Sequence, residues 1–335
     1  MKKAVDEKRA APSFDPREVL RFARLTQVPR LLRRAIGLAA VERSDFLPAC
    51  DPAERARLRA IADAVRGPDR RPAVFVHGVL PRSGTNFVAD ALALHPDLLQ
   101  NPGRLWEFPL LCTAEAAEAL QREFLFMFPP NAEAMGRRDM FACMASGWMK
   151  VLQDGAGDRR MLFKSPHVRA IGLFPAIFPG DVLILVLRDG RDVIRSSEGT
   201  FAGGGAWRKR FRTLAHEWRE GCEAIMSFAP GGENACPEAT VVRYEDLVRE
   251  PEGTMRRLLA HAGLDPARYD FDALKRLPVR GSSTKAAEAG WTPVERTDDF
   301  DPLGRWKDWP DKKKARFEAI AGDAARRAGY GRDEA

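Results

Sequence analysis

The chain is poor in cysteine, and what it has is scattered. Five cysteines (Cys50, Cys112, Cys143, Cys222 and Cys236) are spread over 335 residues. None forms a CxxC pair or lies beside histidine at zinc spacing, which excludes a disulfide framework and a cysteine-based metal site. Long apolar runs are lacking too. The longest near the start, Ala35 to Val41, falls far short of the about 20 residues that span a bilayer as a helix. The opening MKKAVDEKRAAPS continues with polar and acidic residues and is not read as a signal peptide, so a reducing cytoplasm is the expected location. No internal repeat or low-complexity tract is visible. What remains is an ordinary globular composition, 45% hydrophobic and 30% charged. A net charge of +7 suits an anionic ligand, a nucleic acid or an acidic membrane surface, and clustering must decide between them.

Residues 1–70 are rich in Ala and Arg, with helical spacing in Leu20, Phe22, Ala23 and in Leu31, Leu32, Ile36. They are expected to form a helical extension, with Arg30, Arg33 and Arg34 either on a solvated face or in a basic arm. Arg66 to Pro72 reads as a loop, and a single domain is expected over 71–335. Short apolar runs predict strands at Ala73–His77, Met161–Phe163, Val182–Leu187 and Thr240–Arg243. Between them, helical spacing follows Phe87, and helices are expected at Val168–Phe178, from Asp192 onward and at Trp207–Phe228. In the last of these, Trp207, Phe211, Leu214, Trp218, Cys222 and Ile225 form the buried stripe. This alternation implies an α/β three-layer sandwich with a mainly parallel central sheet, of P-loop NTPase-like form, with helical additions at both ends.

Two segments concentrate anion-binding chemistry. In GVLPRSGTN, Gly78 to Asn86, a glycine-bearing loop joins a strand to a helix, where backbone N–H groups converge and Ser83, Thr85 and Asn86 add side-chain donors. A nucleoside-triphosphate loop needs GxxxxGK[ST]. Here five residues separate Gly78 from Gly84, Thr85 stands in the lysine position, and the cation is Arg82, before the glycine. In VLILVLRDGRDVIRSS, Arg188 ends the strongest strand and Ser196 follows eight residues later, a fork and a hydroxyl suited to a terminal phosphate. Arg191 and Arg195 read equally well as solvated helix charges.

PRSGTN resembles the 5′-phosphosulfate loop of the sulfotransferases that use 3′-phosphoadenosine 5′-phosphosulfate (PAPS), especially the bacterial carbohydrate-type and tyrosylprotein branches. The resemblance covers about Ala73 to Trp309. It implies that Arg82, Ser83, Gly84, Thr85 and Asn86 cradle the 5′-phosphosulfate, and that the Arg-x7-Ser pair Arg188 and Ser196 binds the 3′-phosphate. Tyr244, in the YEDL landmark, either lies near the adenine or packs under the following helix. Lys164, in FKSPH after a strand, is similar to the lysine that contacts the bridging oxygen. The small-molecule branch has a histidine two residues after that lysine; here Pro166 stands there and His167 falls one later. The carbohydrate and tyrosylprotein branches use a glutamate after the first helix, which points to Glu107 as base, with Trp106 and Phe108 as apolar neighbours and His167 second. Ser283 and Lys285 are expected at the phosphosulfate, and Arg305 and Trp306 in a terminal clasp.

The activity implied is sulfuryl transfer from PAPS to a hydroxyl, with PAP (adenosine 3′,5′-bisphosphate) released and no metal required, since positioned cations stabilise the charge. The expected acceptor is a glycan or glycolipid, with peripheral membrane contact compatible and no transmembrane segment. The glycine-rich stretch Gly199–Trp207 reads as either a flap over the acceptor or a solvent loop. Two other readings are a nucleotide-dependent kinase, opposed by the missing GK[ST], and a non-catalytic basic protein, for which no nucleic-acid recognition motif is present.

Overall fold

The computed structural model describes residues 41–200, 210–278 and 301–331. Five parallel strands form one sheet: β1 (Val74–Gly78), β2 (Leu98–Gln100), β3 (Arg160–Ser165), β4 (Val182–Leu187) and β5 (Ala239–Arg243), in the order β2-β3-β1-β4-β5. The register sets Val76 beside Lys164 and Ile184, and Leu187 beside Arg243. Helices alternate with the strands: α1 (Pro52–Arg66), α2 (Thr85–Leu92), α3 (Ala114–Met127), α4 (Asp139–Asp154), α5 (Phe174–Ile177), α6 (Gly190–Thr200), α7 (Phe211–Met226), α8 (Tyr244–Arg249), α9 (Pro251–His261), α10 (Phe271–Lys275) and α11 (Asp311–Arg327).

β4 is apolar throughout, and β1 and β3 are largely so, because both sheet faces are covered there. Phe75, Phe163, Leu183 and Leu185 enter a core with residues of α4, α7 and α11. The alternating set, Val74, Val76, Leu162, Ile184 and Val186, packs against Val88 and Leu92 of α2 and Met255 and Leu258 of α9. This is the three-layer α/β arrangement expected from the alternation.

Local chemistry sets the helix ends. Asp51 caps α1 by accepting from the Glu54 amide at 2.8 Å, Pro52 follows, and Gly67 at φ 73° stops the helix. Arg66 is buried and forms an ion pair with Asp181, whose carboxylate also accepts from the Ala73 amide at 2.8 Å. That carboxylate ties α1 to the entry of β1.

Three boundaries differ from expectation. The strand β2 escaped notice because Leu98 to Gln100 is three residues long at the sheet edge. The helix expected at Val168–Phe178 is a 3₁₀ turn at Ile171–Leu173 followed by the short α5, since Ala170 takes a left-handed φ of 53° and Pro175 enters only at the next start. Gly199 and Thr200 end α6 rather than open a loop. The N-terminal helical readings, Trp207 and the triple glycine lie outside the described residues.

Candidate active site

The loop after β1 is built for a close approach to its neighbours. The Ser83 hydroxyl donates to the Leu80 carbonyl at 2.7 Å and accepts from the Leu80 amide at 3.1 Å, so it shapes the turn. Arg82 has φ 80°, an uncommon conformation for a side-chain-bearing residue. Gly84, at φ 90°, precedes α2, and a Cβ there would lie 2.2 Å from Cδ2 of Tyr244. Only glycine fits that contact. The first α2 amide bond in the helix runs from Val88 to Gly84, leaving the preceding turn of amides directed outward, as at any helix start. Thr85 is buried at that start, and Asn86 is partly exposed.

The end of β4 lies beside this loop, because β4 pairs directly with β1. Arg188 Nη1 donates to the Arg82 carbonyl at 2.9 Å and Nη2 to the Pro302 carbonyl at 2.6 Å. Its Nε is buried with no hydrogen-bond partner among the described residues. Arg82 Nε in turn donates to Ser196 Oγ at 3.1 Å. Arg82 therefore joins the Arg188–Ser196 group, although the sequence suggests two separate basic sites. Burial first, then the charges of Arg188 and Arg305, push the Arg82 guanidinium down to about 10, so it stays charged at neutral pH. Arg305 is lowered as well, by burial and then by Arg188. Three guanidiniums held together against their own repulsion have the charge and donors to suit a polyanion.

Surrounding residues lock this cluster. Trp218 Nε1 donates to the Arg188 carbonyl at 3.0 Å, and Glu245 accepts from the Asp189 amide at 2.9 Å. The Tyr244 ring lies under the Arg188 guanidinium, 4.6 Å from its centre. Arg191 is not a solvated charge: it is buried, pairs with Asp189 at 2.6 Å and covers the Trp306 ring at 3.7 Å. Arg195 pairs with Asp308 at 2.8 Å on the surface. Asp192 accepts from the Gly304 amide at 2.8 Å and the Trp306 amide at 3.3 Å. Arg305 and Trp306 thus sit in a segment clasped onto α6. Asp192 and Glu245 are functional supports that sequence reasoning missed; a carboxylate inside an RDGRD or YEDL motif is the signal that marks them.

On the other side of β1, Lys164 occupies the penultimate position of β3 rather than following the strand, and it is buried. Its ammonium lies 3.6 Å from Glu107 Oε1. The Phe108 amide donates to the Lys164 carbonyl at 2.8 Å, which fixes Glu107 beside the strand. Phe108 is buried, but Trp106 is 38% exposed, so the apolar enclosure expected around Glu107 is one-sided. His167 is partly exposed, and its carbonyl accepts from Nδ1–H of His77 at 2.8 Å. Ser283 and Lys285 lie outside the described residues. Among those described, no group of three or more His, Cys, Asp or Glu side chains is placed to hold a metal ion.

His77 is a third support that the sequence alone does not reveal, since it reads as one more residue of a largely apolar strand. Burial pushes its imidazole down to about 4. The unfolded chain takes up this proton below the ordinary value of 6.5, while the folded chain stays neutral until about 4. The associated stability is therefore complete above pH 6.5 and lost as pH falls towards 4, by about 3 kcal/mol in all. Denaturant melts across that window should show a His77→Gln variant losing correspondingly less stability on acidification than the parent. Parallel curves would contradict this account of His77.

The cluster thus stands at the carboxyl ends of three adjacent strands: the Gly78–Gly84 loop after β1, Lys164 in β3 and Arg188 after β4. Ligands of open α/β sheets bind at such ends. Residues 72–268 match the sulfotransferase family. No curated protein sequence matches the chain. Among solved structures, the sulfotransferase domain of the Synechococcus PCC 7002 olefin synthase is 20% identical with a TM-score of 0.50, over 78% of this chain and 97% of that one. A mouse sulfotransferase complexed with PAP is 12% identical with a TM-score of 0.42, over 80% and 90%. A sulfotransferase from Alicyclobacillus acidocaldarius is 16% identical with a TM-score of 0.40, over 79% and 98%. With the family match spanning more than half its length and its strand-end loop, arginines and lysine in one group, the chain belongs to the sulfotransferase family.

Proposed function

We propose that the chain transfers the sulfuryl group of PAPS to the hydroxyl of a glycan or glycolipid. The observation that carries this reading is the convergence of Arg82, Arg188 and Arg305, in which burial and then the charge of Arg188 lower the basicity of Arg82 and Arg305, one strand away from a buried lysine. A cofactor with phosphates at both its 3′ and 5′ positions suits that arrangement, and the buried Nε of Arg188 is a donor waiting for an acceptor oxygen. Arg188, Ser196 and Arg82 would hold the 3′-phosphate. The amides from Gly84 to Asn86, with Thr85 and Asn86, would hold the 5′-phosphosulfate. Tyr244 walls the site between them, and Ser283 is retained as a contact of the transferred group.

In the reaction the acceptor oxygen attacks sulfur, the new S–O bond forms, and the bond from sulfur to the phosphate oxygen breaks in line. The acceptor proton passes to Glu107, and PAP leaves. Lys164 stabilises the charge that builds on the leaving oxygen. No metal is invoked. Among the described residues no helix is long and apolar enough to cross a membrane; with scattered, free cysteines, a cytoplasmic setting is proposed.

Incubation with labelled PAPS and a panel of glycans, glycolipids and tyrosine peptides tests the activity directly. A Glu107→Gln variant should lose about 10²- to 10⁴-fold in kcat while keeping its affinity for PAP. Full turnover by that variant would move the base to His167. Phosphate transfer from ATP with Mg²⁺, and no PAP binding, would overturn the reading.

A further inference from the structure

Large apolar side chains rarely face water in groups without a partner. Here such a group begins at the acid–lysine pair. Trp106 adjoins Glu107 and is 38% exposed. On the other flank, Phe108 stacks on Phe163 at 4.4 Å and meets the Trp148 ring edge-on at 5.4 Å. Trp148 is itself 42% exposed, with Met144 at 44% and Val151 at 68%. Their spacing of four and three residues puts these three on one face of α4. The adjoining face, with Phe141, Ala145 and Met149, is in the core. Through the Phe108–Trp148 contact, the exposed apolar face of α4 adjoins the segment that carries Trp106 and Glu107.

Charge and polarity choose its occupant. Exposed charges on α3 and α4 nearly cancel, Glu115, Glu123 and Asp154 against Arg122 and Lys150, and form no basic cluster of the kind that attracts an anionic bilayer. A bare sugar stacked on an indole needs polar side chains beside it for its hydroxyls, but the exposed neighbours along this face are Met144 and Val151. An aliphatic chain needs neither.

We infer that the acceptor is an alcohol carrying a long apolar chain, and that Trp106, Met144, Trp148 and Val151 form the subsite for that chain. Resting on the donor site proposed above, this selects a lipid-bearing hydroxyl over a free glycan. The stripe holds the chain along α4 and so delivers the hydroxyl to Glu107 and Lys164.

The test uses the full chain saturated with PAP, so that binding is read without turnover, and n-alkanols from butanol to decanol as probes. A fully buried methylene contributes about 0.8 kcal/mol, about fourfold in affinity. On an open stripe about half of that is expected, so Kd should tighten about twofold per added methylene. Trp148→Ala should weaken decanol about tenfold and leave the Kd of PAP unchanged. Val151→Ser, a surface change, should weaken decanol about twofold and provides the comparison should Trp148→Ala fail to fold. Equal affinity for butanol and decanol, or binding of maltose in preference to decanol, would overturn the subsite and leave the donor reading standing. So would a stripe that binds phosphatidylglycerol vesicles and no alkanol. Absence of PAP binding would instead bring down the donor reading, and this inference with it.

Discussion

Replacing Arg188 by alanine should weaken PAP binding by about two orders of magnitude or more. Removing one member of a buried, charge-assisted contact costs about 2–5 kcal/mol, because the charge left behind finds no partner. Arg188 is suited to such a role by its whole surroundings. Its carbonyl is fixed by Trp218, its ring neighbour is Tyr244, and its two terminal nitrogens are held by the carbonyls of Arg82 and Pro302. The remaining nitrogen, Nε, has no partner among the described residues. The alanine variant also releases those two carbonyls, so its fold needs checking. Arg188→Lys keeps the charge and loses the fork, and should fall between the two. An unchanged calorimetric affinity for PAP in folded Arg188→Ala would remove Arg188 from the nucleotide site.

The second large effect concerns the other side of β1. Lys164→Met keeps the length of the side chain in its buried position and removes the ammonium. The kcat for sulfuryl transfer should drop about 10²- to 10³-fold, the typical loss when one preorganised donor to a developing charge is removed. PAP lacks the sulfuryl group, so its affinity should change little. This separation of kcat from nucleotide binding distinguishes a group acting in the transition state from one that only holds the nucleotide. A variant with parental kcat would assign Lys164 a structural role.

The sheet was largely legible in the sequence because its strands are buried on both faces. VLILVL has no polar residue to confuse its period, and β4 runs over the same residues as the apolar run, Val182–Leu187. β2 was not legible, being short and at the edge. The strand–loop–helix at Gly78–Asn86 could be read from its glycines, and the need for glycine at position 84 has a cause in the structure, the Tyr244 ring against it. What the linear motif could not convey is direction. Arg82 is drawn by its positive φ and by Ser196 into the Arg188 group, a contact across 114 residues of sequence. Nor does the motif convey that the Ser83 hydroxyl, which reads as a ligand donor, donates to the Leu80 carbonyl in the folded turn. Arg191, which looks like any helix arginine, becomes structural once Asp189 and Trp306 close around it. The apolar stripe of α4 was hidden by the same helical period that marks its buried face.

The most direct examination of the donor site is a crystal structure of the protein soaked with PAP. The account predicts the 3′-phosphate within hydrogen-bond distance of Arg188 and Ser196, and the 5′-phosphate at the amides that begin α2. Density for the nucleotide elsewhere, with both of these positions holding only water, would contradict it.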